Sequence, residues 1–140
     1  VTDSPDIPTT LTIREWQDAL LAERGVRADS NYTTLVWGGL IGPTAVVLLR
    51  LLGQLTTDSR VVAITVQELA ATIGVSPPLA LRGIDRLARF GFIQRRGNTL
   101  SVRHFVDLVT EGRVHKLSPL AQRVDGTFRQ RVISPRTATY

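Results

Sequence analysis

The sequence predicts a mainly α fold with one small β-hairpin, an N-terminal helical extension and a C-terminal helix and tail. Three observations predict it. Val47, Leu48, Leu51, Leu52 and Leu55 recur at helical spacing behind Pro43. Two further helices open on Thr65 and Ser76 as caps and stop at Gly74 and Gly91. Two short strand-like runs, residues 92–95 and 99–103, are joined by Arg96-Gly97-Asn98, a hairpin signal. Residues 1–42 then form an N-terminal helix and connecting loop, 43–106 the central domain, and 107–140 a C-terminal helix and basic tail.

Taken in order, Thr12-Ile13-Arg14-Glu15 fits a capping box and predicts a helix to about Arg24, with Ile13, Trp16, Leu20 and Leu21 on one side and Gly25 as its stop. Residues 30–49 carry no charge. A membrane span needs about 20 mainly apolar residues, but this run opens with Ser-Asn-Tyr-Thr-Thr and holds Gly38, Gly39, Gly42 and Pro43, so it reads as a loop feeding a buried helix. Pro43 suits the first turn of that helix, where a missing N–H costs nothing. Val61-Val62-Ala63-Ile64 is short and mostly β-branched, and so predicts a strand. Thr65-Val66-Gln67-Glu68 is a second capping box, and Leu69, Ala70 and Ile73 should face inward. Ser76, followed by Pro77, opens a helix to about Phe90. In the second hairpin run Leu100 and Val102 alternate with Ser101 and Arg103, as a half-buried strand requires. Ser118-Pro119 starts a final helix to about Val124, ended by Asp125-Gly126, and the last dozen residues read as an extended tail.

Composition excludes several chemistries. The 140 residues contain no cysteine, so disulfides, thiolate metal sites and cysteine nucleophiles are absent. The two histidines, His104 and His115, have no acidic cluster beside them in sequence, and no metal site is expected. His104 should end the second hairpin strand and point to solvent or backbone, while Trp16, Tyr32 and Trp37 read as core or subunit-contact residues. No Ser-His-Asp arrangement, carboxylate-pair motif or glycine-rich phosphate loop occurs, so neither catalysis nor a cofactor is expected. No methionine is present, even at position 1, which reads as a trimmed or processed chain. The acidic, proline-bearing start lacks a signal peptide's apolar core, consistent with a cytoplasmic, nucleoid-associated protein that avoids membranes.

Charge is unevenly placed. Residues 1–81 hold five arginines against eight acids, a balance of −3, whereas residues 82–140 hold eleven arginines and one lysine against four acids, a balance of +8. A basic half of this kind suits an anionic partner, most often nucleic acid.

Helix, short strand, helix, glycine turn, helix, glycine and hairpin follow one another in a specific order. Within it, Glu68-Leu69-Ala70-Ala71-Thr72-Ile73-Gly74-Val75-Ser76 resembles the helix-turn-helix core of bacterial regulators. The continuation Ile84-Asp85-Arg86-Leu87-Ala88-Arg89-Phe90-Gly91-Phe92-Ile93 looks like the end of a recognition helix entering a wing. Over about 65 of the 140 residues the chain resembles winged helix-turn-helix regulators of the MarR and GntR kind. That resemblance implies a transcriptional regulator that binds double-stranded DNA as a homodimer, the 76–90 helix in the major groove and the 92–104 hairpin as wing. The terminal segments would supply the dimer contact.

The residues expected to meet DNA are Ser76, Pro77, Leu79, Arg82 and Arg86 on the recognition helix, with Arg89 extending its basic edge. Arg95, Arg96 and Arg103 should cluster on the hairpin with Asn98 at its tip, and helix-start amides near Thr65 and Ser76 should hold phosphates. One departure from the family pattern stands out. Pro78, Leu79 and Leu81 occupy positions that commonly present polar side chains to base edges, and leucine at best touches a thymine methyl. The alternative is therefore a winged-helix adaptor, a structural subunit that docks another protein through this apolar face. A small-molecule effector is compatible with either, although no residue pattern points to one.

Overall fold

A computed structural model describes residues 9–133. Among the described residues the fold is mixed α/β, with seven α-helices, a four-stranded sheet and a two-stranded one. Three central helices are α3 (Pro43–Leu55), α4 (Val66–Ile73) and α5 (Pro77–Arg89). Strands β3 (Val62–Thr65), β4 (Ile93–Arg96) and β5 (Thr99–Val102) fall where the local signals place them, to within a residue or two. The Thr65 hydroxyl accepts the Glu68 amide at 3.0 Å. Gly74 then takes the left-handed conformation (φ 81°) that closes α4 without a Cβ clash.

The N-terminal segment differs from the sequence reading. Thr10–Glu15 is a strand, β1, and the helix is confined to α1 (Ala19–Arg24), capped by the Asp18 carboxylate. β1 lies inside the four-stranded sheet, whose order is β3-β1-β5-β4, antiparallel to β3 and parallel to β5. The reason is visible in Thr-Leu-Thr-Ile: Leu11 and Ile13 are fully buried on the helix-covered face while Thr10 is exposed, a two-residue period. Of the two leucines expected inward, Leu20 is 69% exposed and Leu21 is buried.

Residues expected to form a loop are also helical. A π-helical turn (Thr33–Trp37) runs into α2 (Gly38–Ile41), burying Thr33, Val36, Trp37 and Ile41. On α3 the buried stripe is Ala45, Val46, Leu48, Leu49 and Leu52, whereas Val47 is exposed. A second, two-stranded sheet pairs β2 (Val26–Arg27) with β6 (Phe105–Val106).

After the short α6 (Glu111–Val114) comes α7 (Pro119–Ile133), which passes through Asp125-Gly126 rather than ending there. It continues because Asp125 is held inside. The Tyr32 hydroxyl donates to it at 2.6 Å, and Arg129, one turn on, bonds both its oxygens at 3.1 Å. Phe128 packs on the Tyr32 ring at 5.3 Å. Residues 134–140 of the expected tail lie outside the described residues. Among the described residues no helix is long and apolar enough to cross a membrane.

Candidate functional site

α5 sets the geometry of the basic surface. Ala80, Gly83, Ile84 and Leu87 are buried, which turns Pro78, Arg82, Asp85, Arg86 and Arg89 outward. At Gly83 the helices α3 and α5 cross closely: an added Cβ would stand 2.5 Å from Leu48 Cδ1 and 3.3 Å from Thr44 Cγ2. Leu81 lies on the flank and packs against the core, so the apolar face expected from Pro78, Leu79 and Leu81 shrinks to Pro78 and Leu79, the latter 42% exposed.

Beside α5, residues Ile41 to Ala45 form the second wall of a cleft of about 430 Å³. Arg82, Arg86 and Arg89 all line it, and Asp85 is its one acid. Arg86 reaches across α5's edge, its Nη1 donating to the Ile41 carbonyl at 3.4 Å. Among the described residues neither Arg82 nor Arg89 has a carboxylate within salt-bridge range.

The hairpin arginines are not one cluster. Arg95 pairs in register with Leu100 and faces the helices, where its guanidinium lies 3.7 Å from Asp85 and its Nε donates to the Gly97 carbonyl at 3.2 Å. Arg96 pairs with Thr99 on the opposite face, beside Thr12, Arg14, Gln94 and Ser101 in an open polar depression. Neighbouring strand residues point to opposite faces, so adjacent arginines cannot gather on one. Arg103 is withdrawn altogether: it stacks 3.9 Å over the Trp16 ring and bridges to Asp18 at 3.3 Å. Asn98 is exposed at the tip, but its carbonyl accepts the Thr12 amide at 2.8 Å, which ties the hairpin to β1.

The helix-start amides expected to hold phosphate are largely occupied. At α4, Val66 N–H donates to Thr9 and Glu68 N–H to Thr65. At α5, Pro77 and Pro78 have no N–H, and Leu79 N–H donates to the Ser76 hydroxyl at 3.4 Å. Ser76 and Thr65 therefore serve as caps.

His104 does not point to solvent. Its Nε2 lies 2.7 Å from the Thr56 hydroxyl and its Nδ1 3.6 Å from Glu15, which joins the ends of α3, β1 and β5. Tyr32 and Trp37 are core residues, whereas Trp16 serves as the platform for Arg103. Among the described residues no group of three His, Cys, Asp or Glu side chains is placed to hold a metal ion. What reasoning from sequence missed is the Ile41–Ala45 wall; its signal was the spacing of Val36, Trp37 and Ile41, which is helical despite the glycines. Compared with known proteins, the chain matches no family model, no curated protein and no solved structure.

Proposed function

We propose that residues 43–106, completed by β1, are a winged helix-turn-helix that binds double-stranded DNA, with α5 in the major groove and the β4–β5 hairpin as wing. The observation that carries this reading is the outward stripe of Arg82, Arg86 and Arg89 on the helix that follows the Gly74 turn. A helix of 13 residues is about 20 Å long and of a diameter that the major groove accepts. Arg82, nearest the N-terminus of α5, is the best placed to read a guanine, and Leu79 beside it offers only methyl contact. Arg89 and Arg96 then meet phosphates, while Arg95 holds the wing to Asp85.

In this reading the protein works on DNA in the cytoplasm, associated with the nucleoid. Binding to a pseudo-palindromic site requires a homodimer, and its contact must use surface left after β1 and α7 have been taken up within the chain.

The test is fluorescence anisotropy with a random duplex of about 30 base pairs, titrated from about 50 to 200 mM salt. Binding that weakens steeply with salt is expected, and Arg89→Ala and Arg96→Ala should each lower the logarithmic salt slope by roughly one, whereas Arg82→Ala should relax sequence preference. Absence of binding at the lowest salt overturns the reading. The adaptor reading keeps Pro78 and Leu79, a surface small beside the several hundred Å² of a typical apolar docking patch. Leu79→Asp abolishing capture of a protein partner would restore it.

A further inference from the structure

We propose that the cleft between α5 and the Ile41–Ala45 segment is a binding site for a phosphate group, whether or not α5 enters a DNA groove. The argument starts from repulsion. Arg82, Arg86 and Arg89 stand one turn apart on a single helix face, where like charges destabilise one another. Their neighbour Asp85 is shared with Arg95 at 3.7 Å, which leaves the cleft with uncompensated positive charge. All three side chains line one concave surface instead of spreading over the exterior.

Arg86 is held in place. Its Nη1 bonds the Ile41 carbonyl and lies 3.7 Å from the position a Cβ would take at Gly42. Gly42 itself has φ 85°, so the backbone there disfavours a side chain that would cover the guanidinium. Pro43 and Leu79 add exposed apolar surface beside the arginines.

A tetrahedral phosphate, with up to two charges and several acceptor oxygens, accepts from guanidinium groups at successive turns of one helix face. A carboxylate offers one plane and one charge. Two sources share this chemistry, the backbone of a nucleic acid and a free small-molecule phosphate.

The test follows backbone amides of Gly42, Thr44 and Ala45 and the Arg86 Nε–H by NMR, in the full chain at constant ionic strength. Inorganic phosphate should produce saturable shifts, and chloride and acetate should not. Arg86→Gln and Arg89→Gln should each weaken phosphate binding about five- to tenfold, since charge-assisted bonds are lost, while Arg123→Gln, exposed on α7 and outside the cleft, leaves it unchanged. The amide spectra of each variant report its fold directly. Adding a duplex separates the sources. Shifts at the same amides that phosphate competes away, or that need Arg86, assign the cleft to a nucleic-acid backbone. Phosphate saturation with these amides silent towards duplex assigns it to a small phosphate. Phosphate saturation without any duplex binding ends the DNA reading and leaves the cleft standing. If neither phosphate nor duplex moves these signals beyond chloride and acetate, the proposal falls, even where duplex binds elsewhere.

Discussion

Tyr32 joins three separate stretches of chain through one hydroxyl. It donates to Asp125 at 2.6 Å and accepts the Val109 amide at 2.8 Å, while Arg129 holds the same carboxylate and the Val109 carbonyl. Burial, then the bond to Asp125, raises the pKa of the Tyr32 hydroxyl well above the usual tyrosine range. Tyr32→Phe leaves the Val109 amide without its acceptor and Asp125 Oδ1 with Arg129 alone, and should cost about 2–4 kcal/mol in urea unfolding. The same residue gives a pH dependence. Above about pH 10 the unfolded chain ionises this tyrosine while the folded chain keeps it neutral, so stability present below that pH is lost as pH rises. Wild type should therefore lose melting temperature faster than Tyr32→Phe between about pH 9.5 and 11.5. Parallel slopes would show that another group governs alkaline unfolding. At Gly83 a methyl group meets packed Leu48 and Thr44, so Gly83→Ala should destabilise by about 1–3 kcal/mol, and a neutral result would mean the α3–α5 crossing relaxes freely.

At the scale of elements, what could be read from sequence was what local chemistry decides. Thr65, Gly74, Ser76, Pro77 and the Gly97-Asn98 turn each act within a few residues of themselves, and the elements from α3 to β5 follow. Residues 10–15 were not legible because Thr-Leu-Thr-Ile-Arg-Glu contains both a capping-box spacing and a two-residue alternation. Pairing with β5, more than eighty residues away, decides between them. The site was affected in the same way: α5's arginines were legible, but Arg103's withdrawal to Trp16 depended on where β1 ends. In the strand Ile13 is fully buried and Arg14 exposed, so Ile13→Asp should unfold the protein while Arg14→Asp stays within about 0.5 kcal/mol of wild type. Comparable losses from the two, in circular-dichroism melts, would contradict the strand's alternation.

At the scale of the whole molecule, β1 decides what counts as the folding unit. The division at residue 43 that the local helix and hairpin signals suggest would leave β3 and β5 without the strand between them. It would also strip Leu11, Ile13, Tyr32, Val36, Trp37 and Ile41 from the core, all of them at most 7% exposed. Each such side chain contributes about 1.5–3 kcal/mol on burial, so their sum reaches the 5–15 kcal/mol that typically holds a whole domain. Residues 43–140 alone should therefore show poorly dispersed amide signals and no cooperative melt, even though they contain every helix-turn-helix signal in the sequence. Adding a peptide of residues 9–42 should restore dispersion, because β1 and the Thr33–Ile41 turn reach their partners through side-chain burial and strand pairing, both of which can form in trans. A fragment that melts cooperatively and binds duplex as the full chain does would show instead that β3 and β5 close directly on each other. In that case the N-terminal segment is an accessory to a self-sufficient 43–106 domain.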